Sequence, residues 1–323
     1  MAVWFVELLV LGVMAVNGFT DAPNAIASVV STGTLPFRRA VVLAAVCDFL
    51  GAVVMCALCP TVARTVLELA DFGGDPAAAL TSLEASFLAI ILWAVLAWRF
   101  GIPTSESHAL IAGLTGACAA LFGDFSHVSS RAWGKVLAGL VLSTLCGALA
   151  GQLTARRLER QTLSPVAVRR GQLLGAAVTA FFHGAQDGQK FIALFLLCRA
   201  LGRGETGGAF ITIPLPVCAL CAGCMAAGTG LGGRRIIDTV TRGLTDLTPK
   251  AALAADLGSG ACLLAASVLG LPLSTTHTKL SALWGAGRGA GRNTTGEIVF
   301  AWLATFPVCF GLAWGLTKLM VGV

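Results

Sequence analysis

Long apolar segments alternate along the chain with short polar ones. A membrane-crossing helix needs about 20 mostly apolar residues, and ten segments fit that pattern. Their approximate bounds are 2–33, 40–60, 82–99, 103–122, 133–154, 171–199, 208–230, 251–270, 272–287 and 297–320. The pattern predicts an all-α polytopic membrane protein. The first segment carries Glu7 but no lysine or arginine, which predicts a retained span rather than a cleaved signal.

Two polar stretches interrupt these apolar segments. The first runs from Asn17 to Asn24 and contains Asp21 and Pro23, and the second runs from His183 to Lys190 and contains Asp187. Irregular polar backbone at membrane depth is tolerated only where it is buried in protein or lines a cavity. We therefore predict interrupted helices at both stretches and one shared central site.

The order of the motifs indicates an internal duplication. Asp21 and Asp187 occupy matching positions, and Pro103-Thr-Ser-Glu-Ser-His108 is echoed by Pro272-Leu-Ser-Thr-Thr-His277 at a similar offset. The central loop leaves five predicted crossings on each side, and an odd number inverts the second half relative to the first. We predict two inverted-topology repeats with interrupted helices and possible re-entrant hairpins, as in secondary transporters. The predicted domains are a first membrane repeat over 1–154, a linker over 155–170 and a second membrane repeat over 171–323.

The composition supports a membrane protein and excludes several other classes. Hydrophobic residues make up 56% of the 323 residues and charged residues only 12%, with a mean hydropathy of +0.84, whereas soluble chains carry roughly twice that charged fraction. The net charge of +6 comes from arginines in short loops, so nucleic-acid binding is not expected. Most of the 11 cysteines lie in apolar segments, where cysteine packs as a small hydrophobe. Two pairs, Cys56-x-x-Cys59 and Cys221-x-x-Cys224, have metal-ligand spacing, but neither has the further ligands that a zinc site needs.

Arginine and lysine positions set the predicted orientation. In a ten-span arrangement the arginine-rich loops fall on one side, whereas the acidic 61–80 segment falls on the other. Because positive loops stay in the cytoplasm, we predict a cell-membrane protein with both termini outside and the 155–170 loop in the cytoplasm. Arg199 and Arg203 are exceptions. The positive loops contain Arg38, Arg39, Arg99, Arg156, Arg157, Arg160, Arg169, Arg170, Arg234, Arg235, Arg242, Lys250, Arg288 and Arg292.

Asp21 and Asp187 are the leading candidates for a cation site. A carboxylate within a span costs roughly 2.5–3.5 kcal/mol on insertion scales, so another group must compensate it. The neighbouring Thr20, Asn24 and Gln186 offer neutral oxygens. This combination suits sodium, or a proton carried on the aspartate. The alternative is that each aspartate caps a restarting helix. Apart from the coupling ion, no cofactor is expected.

The two Pro-x-Ser-x-x-His segments predict an anion site. A proline followed by hydroxyl side chains is typical of a helix start, whose free N–H groups and positive dipole end attract anions. Hydroxyls from both halves could donate to a tetrahedral oxyanion, namely Ser105, Ser107, Ser274, Thr275 and Thr276. The alternative is a pair of ordinary helix caps without a ligand.

Four further residues are candidates for supporting roles. His108 and His277 could contact the anion or carry a proton, but we favour a role in tying helices together. Lys190 follows Asp187 by three residues, so a structural ion pair is favoured over an anion contact. Gln189 lies in the same polar stretch. No role is assigned to the remaining polar positions within spans, which are Asp48, Glu84, Asp256 and Lys279.

These motifs resemble the inorganic phosphate transporter (PiT) family, whose repeats carry Gly-x-Asn-Asp-x-x-Asn-Ala and Ser-Thr-Thr-His elements. The similarity covers nearly the whole chain and is most specific at Gly228 to Val240 and at Leu271 to Lys279. It implies that phosphate is transported together with a cation that moves down its gradient. It also implies cations near Asp21, Asn24 and Asp187, and phosphate near the hydroxyls named above.

The chain departs from the family pattern at three positions. The asparagine before the aspartate is replaced by Thr20 in the first repeat and by Gln186 in the second. Glu106 stands in the middle of the first hydroxyl cluster, where it would repel phosphate unless it is protonated or turned away. These departures leave sodium and proton open as the coupling ion, and phosphate and sulfate open as the anion.

The sequence therefore predicts a secondary active transporter, not an enzyme, that performs cation-coupled symport of inorganic phosphate by alternating access. Its expected partners are inorganic phosphate, the coupling cation and the lipid bilayer, and a homodimer is left open. One alternative is a sulfate or other oxyanion permease of the same fold. A remote alternative is a membrane-embedded hydrolase using Ser274 and His277, for which no nucleophile elbow or metalloprotease motif is present.

Overall fold

The computed structural model describes residues 3–205, 213–242, 247–287 and 292–322, and their regular elements are helices. The first half contains α1 (Val3–Thr20), α2 (Ala22–Ser31), α3 (Phe37–Leu58), α4 (Thr61–Leu67), α5 (Pro76–Phe100), α6 (Glu106–Phe122) and α7 (Ser130–Glu159). The second half contains α8 (Pro165–Gly202), α9 (Leu215–Leu231), α10 (Arg234–Arg242), α11 (Pro249–Leu269), α12 (Thr275–Ala286) and α13 (Arg292–Thr317), followed by a π-helical turn (Lys318–Gly322).

The first polar stretch interrupts its helix by a single residue. Asp21 alone separates α1 from α2, and Pro23 in the first turn of α2 has no N–H to continue the hydrogen-bond ladder. By length and composition, α1 and α2 together form one candidate membrane span. The predicted interruption is therefore present but short.

The second polar stretch does not interrupt its helix, so the expectation of a break near Asp187 was wrong. α8 continues through His183 and Lys190 without a gap. This stretch contains no proline, so every residue keeps an N–H for the helical ladder. The break in the second half lies between α9 and α10, which form a 66° bend. Gly232 has a positive φ there (+69°), which glycine tolerates best.

Two helical hairpins carry the Pro-x-Ser segments. α5 is followed by α6 after a four-residue turn and a cap, and α11 is followed by α12 in the same way. Gly101 and Gly270 end α5 and α11 in left-handed conformations. α12 has 12 residues and a length of about 18 Å, too short for a hydrocarbon core of about 30 Å. The predicted crossing over 272–287 is therefore not a full span, and α12 is the returning arm of a hairpin.

Fewer helices than the ten predicted meet the criteria of a membrane span. In the described residues six helices are long and apolar enough, or seven if the bent α9–α10 pair counts as one span. α6 and α12 are too short, and α8 contains the polar stretch. The start of the predicted 208–230 segment and Arg288 lie outside the described residues.

The two halves pack into each other. α3 packs on α8, α1 on α9, α7 on α11 and α12, and α13 on α5 and α6. Close glycine contacts allow these crossings. A Cβ atom on Gly184 would lie 2.0 Å from the Asp48 carbonyl oxygen, and one on Gly51 would lie 1.8 Å from the Phe181 carbonyl oxygen. In this pair, each glycine lies against a backbone carbonyl of the helix that carries the other. The same holds for Gly18 with Gly228 and for Gly151 with Gly285. This interlocking brings the polar motifs of both halves into one core.

Candidate functional site

The tips of the two hairpins meet inside the molecule. Ser105 precedes α6 and Ser274 precedes α12, both in extended conformation, and the Ser274 hydroxyl donates to the Ser105 hydroxyl at 2.9 Å. Ser274 also caps its own helix by accepting from the His277 N–H, whereas Ser105 makes no such cap bond. The positive ends of two helices from different halves thus converge at one buried point.

Asp187 lies next to this point and is surrounded by donors. Lys190 Nζ and Ser107 Oγ donate to its Oδ1 at 2.6 and 3.2 Å. Asn17 Nδ2 and Thr275 Oγ1 donate to its Oδ2 at 3.2 and 3.4 Å. The predicted ion pair between Lys190 and Asp187 is present, and both side chains are fully buried.

Asp21 faces Asp187 across a shared asparagine. Asn17 Nδ2 lies 3.4 Å from Asp21 Oδ2 and 3.2 Å from Asp187 Oδ2. Thr276 Oγ1 donates to Asp21 Oδ1 at 3.0 Å and accepts from Asn24 Nδ2 at 3.1 Å. Residues from both polar stretches and from the second hairpin tip therefore form one network.

This network can hold a small cation. One ligand atom from each of Asp21, Asp187 and His183 lies within 4.8 Å of the others. The amide oxygens of Asn17 and Asn24 are buried and have no hydrogen-bond partner among the described residues. Carboxylate and neutral amide oxygens together suit a hard cation. A cavity of about 10 Å³ adjoins this point, which is space for about one water molecule. It is lined by Asp21, Asn24, Ala25, Thr179, His183, Leu263, Thr275 and Lys279.

Two of the predicted cation ligands point elsewhere. Thr20 Oγ1 donates to Glu106 Oε1 at 2.6 Å. Gln186 Nε2 donates to Ser267 Oγ of α11 at 3.1 Å, and the Gln186 side-chain oxygen has no partner among the described residues. The recorded hydrogen bonds thus place Thr20 at Glu106 and Gln186 at α11, rather than at the aspartates that follow them, Asp21 and Asp187.

The supporting residues mostly have structural contacts. The His277 ring stacks on Trp302 at 3.6 Å, and the His108 ring packs against Phe306 and against His277. These ring contacts agree with the packing role that the sequence favoured for His108 and His277. Gln189 Oε1 accepts from the N–H groups at the start of α4, at 3.2 and 3.4 Å, and so caps that helix.

Three further charged or polar residues in the network, namely Asn17, His183 and Asp48, were not predicted as site residues. Asn17 and His183 each lie four residues before the aspartate of their repeat, so the duplicated spacing could have identified them. His183 Nδ1 lies 2.8 Å from Asp48 Oδ1. Asp48 also accepts from Thr229 at 2.6 Å.

A second ion pair lies beyond this network. Lys279 of α12 pairs with Asp256 of α11, and Ser28 of α2 donates to Asp256 at 2.7 Å. Lys279 and Asp256 are 23 positions apart and belong to different helices, so no spacing within one helix indicated the pair.

Interlocked repeats that join helix starts and buried carboxylates in one polar core are typical of membrane transporters. The phosphate transporter family matches residues 17–165 and, a second time, residues 153–313, so the chain belongs to that family. The membership makes it a transporter and not an enzyme, which removes the hydrolase alternative. It is a multi-pass membrane protein.

Individual relatives agree with this assignment. The chain is 34% identical to a probable low-affinity inorganic phosphate transporter of Mycobacterium tuberculosis (strain ATCC 25618 / H37Rv), over 90% of this chain and 71% of the relative. It is 31% identical to a protein of the same description from Bacillus subtilis (strain 168), over 91% and 89% of the two chains. A solved structure described as the sodium-dependent phosphate transporter shares the fold, with a TM-score of 0.88, 19% identity and complete coverage of both chains.

Proposed function

We propose that this chain carries inorganic phosphate across the membrane together with a cation, by alternating access. The observation that carries the proposal is the contact between Ser105 and Ser274 at 2.9 Å, where helix starts from opposite repeats meet. Two buried aspartates lie beside this contact. The descriptions of the relatives as inorganic phosphate transporters support phosphate as the anion.

Phosphate is proposed to bind between the starts of α6 and α12. Free N–H groups and the positive dipole ends of the two helices attract an anion. The hydroxyls of Ser105, Ser107, Ser274, Thr275 and Thr276 add donors from both halves. Phosphate carries a proton at neutral pH whereas sulfate does not, so a nearby carboxylate acceptor favours phosphate. Lys190 Nζ donates to Ser107 Oγ at 2.6 Å, so a positive charge also lies beside the proposed anion position.

The coupling cation is proposed to bind at Asp21, Asn24 and Asp187, with Asn17 as an added ligand. Lys190 already balances the charge of Asp187, which leaves the charge of Asp21 for the cation. Thr20 and Gln186 then do not bind the cation directly. Thr20 bonds to Glu106 and Gln186 bonds to α11, and both act on the cation site through these contacts. The description of the structural neighbour as sodium-dependent supports sodium as the coupling ion.

Transport requires the hairpin tips to move apart. Ser105 and Ser274 touch directly, and Thr276 binds Asp21, so an anion can enter only when these contacts open. The contacts join the two repeats. Opening them therefore requires motion of one repeat against the other, which is the alternating-access motion of inverted-repeat transporters.

Uptake of radiolabelled phosphate into proteoliposomes tests the proposal, with sodium and proton gradients imposed separately and sulfate added as a competitor. We expect gradient-driven phosphate uptake that excess sulfate reduces little. Asp21→Asn should keep the fold, because it preserves size and hydrogen bonding, but should lose gradient dependence. Asp124→Asn, in an exposed loop, is the matched control and should behave as wild type.

Three outcomes would contradict parts of the proposal. No phosphate uptake above that of empty vesicles under either gradient excludes this transport function. Uptake of sulfate in preference to phosphate makes the chain an oxyanion permease of another specificity. Unchanged gradient dependence in both Asp21→Asn and Asp187→Asn removes the cation site.

A further inference from the structure

A cavity of about 610 Å³ lies where the linker between the halves meets the starts of α8 and α11. Its volume falls within the roughly 300–1,000 Å³ that is typical of small-molecule sites. The turn after α2 forms one wall, and α8 and α11 form others. This space, the α8–α11 cavity, shares no lining residue with the small cavity at Asp21. It is therefore separate from the proposed central site.

Both charged side chains that line the α8–α11 cavity are basic. Arg169 lies in the second turn of α8, and Lys250 lies in the first turn of α11. Neither forms an ion pair with any described residue. The recorded partner of Lys250 Nζ is the backbone carbonyl oxygen of Gln161, at 2.9 Å. Because two like charges at one cavity repel each other, an anion between them would be stabilised.

Neutral donors lie beside these two charges. Ser164 caps α8 and Thr248 caps α11, so the positive dipole ends of two helices adjoin the cavity. The Thr248 hydroxyl oxygen accepts from the Ala251 N–H at 3.2 Å. No acceptor for the hydroxyl hydrogen of Thr248 is recorded among the described residues, so this hydrogen is available to a ligand.

Gln172 closes the inner end of the cavity. Its side chain is fully buried, and its Nε2 donates to the Pro249 carbonyl oxygen at 2.7 Å. The hydroxyls of Thr34 and Thr32 donate to Gln172 Oε1, that of Thr32 at 3.3 Å. Gln172 thereby ties the turn after α2 to α8 and α11, so the walls of the cavity are held in place by three segments.

Polar side chains continue from Gln172 toward the central site. Ser28 lies one helical turn before Thr32 and donates to Asp256 at 2.7 Å. Asp256 pairs with Lys279, which lines the small cavity at Asp21. The α8–α11 cavity thus lies at the outer end of a polar path that runs between α2, α8 and α11.

Membrane orientation alone does not account for this arrangement. Positive loops orient a membrane protein wherever their side chains point. Arg169 and Lys250 come from different helices and line the same cavity, whereas the other arginines of the region do not line it, namely Arg156, Arg157, Arg160 and Arg170. The convergence of two charges and two helix starts is the feature that indicates a ligand.

We propose that the α8–α11 cavity is a second anion site, which binds a phosphate group between Arg169, Lys250 and the start of α11. Free phosphate and the headgroup of an anionic lipid both carry this group. No carboxyl group is present among the described lining residues, so the site accepts phosphate and sulfate about equally, unlike the proposed central site. Binding here does not require transport, so it goes beyond the proposed function and is measured without uptake.

The test follows the reaction of a neutral maleimide with a cysteine introduced at the cavity. Leu163→Cys places the thiol in the cavity wall, whereas Thr162→Cys is the matched control, because Thr162 is exposed and does not line the cavity. The unsubstituted protein gives the background from the native cysteines. The full chain is labelled in detergent with increasing inorganic phosphate or sulfate, and chloride keeps the ionic strength constant.

Phosphate and sulfate should both slow the labelling of Leu163→Cys and leave that of Thr162→Cys unchanged. Adding Arg169→Gln and Lys250→Gln removes two charged donors, so the phosphate concentration for half-protection should rise at least about tenfold. Adding Arg157→Gln and Arg170→Gln removes the same charge outside the cavity and should leave it unchanged. Ser274→Ala, which alters the proposed central site, should also keep the protection.

The source of the phosphate group is decided in nanodiscs. Phosphatidylcholine alone is compared with phosphatidylcholine plus phosphatidylglycerol, without added phosphate. If phosphatidylglycerol protects Leu163→Cys, the site holds a lipid headgroup. If only the free anion protects it, the site holds the ion, and both results support a phosphate-group site.

Leu163→Cys labelling that neither the free anions nor phosphatidylglycerol slow overturns the proposal. Protection that survives the loss of Arg169 and Lys250 also overturns it. Protection by phosphate without sulfate, or protection that Ser274→Ala abolishes, assigns the binding to the central site and overturns it as well. Size-exclusion chromatography checks folding of each variant. If the double glutamine variant does not fold, Arg169→Gln alone decides, because Arg169 is exposed.

Discussion

Charged side chains in the core of this protein occur as compensated groups. Lys190 balances Asp187, Lys279 balances Asp256, and His183 bonds to Asp48. A buried pair gains little over an apolar pair, but removal of one partner leaves an uncompensated charge. Asp21, Glu84 and Glu106 are buried carboxyl groups that form no ion pair with a basic side chain among the described residues, and the coupling cation is proposed to bind at Asp21.

The Lys279–Asp256 pair gives a prediction at this scale. Lys279→Gln leaves the Asp256 carboxylate buried without a cation, so the free energy of unfolding should fall by about 3–5 kcal/mol. Chemical or thermal unfolding in detergent measures the loss. The double variant Lys279→Gln/Asp256→Asn should recover most of it.

Lys135 is the matched control for this measurement. It pairs with Glu68 at 3.4 Å on an exposed surface, where ion pairs contribute about 0–1 kcal/mol. Lys135→Gln should therefore change the unfolding free energy little. A Lys279→Gln variant as stable as the Lys135→Gln variant contradicts the structural importance of the buried pair.

The hairpins and the glycine crossings are the elements that build the site. The hairpin α5–α6 and the hairpin α11–α12 present helix starts, while α8 supplies Asp187 without any break in its backbone. The polar stretch in α8 stays helical because neighbouring helices provide partners for its side chains. Pro23 and the turn glycines act differently, since they change the backbone itself.

The α3–α8 crossing gives a prediction at the element scale. Gly184→Ala places a methyl group 2.0 Å from the Asp48 carbonyl oxygen, so the helices must separate and the site residues on α8 must shift. We expect a large loss of folded protein in detergent, measured by size-exclusion chromatography.

Gly134→Ala is the control for this crossing. Gly134 is an exposed glycine near the start of α7 with no neighbouring atom within 4 Å of the added methyl group. Alanine has the higher helix propensity, by about 1 kcal/mol, so this variant should fold as well as wild type. Equal yields of the two variants would show that the close crossing is not required.

The whole molecule depends on two interlocked halves. Each half supplies one hairpin tip and one aspartate, and the pairs α3–α8, α1–α9 and α7–α12 join the halves through close glycine contacts. Neither half could complete the site alone. The domain boundaries at 1–154 and 171–323 and the orientation in the membrane stay predictions.

Cysteine labelling with a membrane-impermeant thiol reagent tests the orientation. Asp124→Cys and Thr162→Cys lie in exposed loops at opposite ends of α7. We expect Asp124→Cys to react in intact cells and Thr162→Cys only after the membrane is opened. The unsubstituted protein gives the background from the native cysteines. The reverse pattern inverts the predicted orientation, and labelling of both from one side contradicts a membrane-spanning α7.

The sequence by itself determined the membrane class, the duplication and the positions of the two helix starts. Apolar length, paired motifs and the Pro-x-Ser pattern are local properties, and they predicted helix starts at Ser105 and Ser274 correctly. The aspartates were identified because a charge in an apolar segment is costly. Local patterns failed where partners are distant, so they did not predict the unbroken α8 or the half-length α12.

Only the tertiary structure decided which side chains meet. Thr20 and Gln186 stand directly before the two aspartates, yet the fold directs one to Glu106 and the other to α11. Asn17 bridges Asp21 and Asp187 because α1 and α8 pack together, although the two aspartates are 166 positions apart. The partner of a buried polar group is set by the crossing of helices from two interlocked repeats, and a linear pattern contains no direct measure of that crossing.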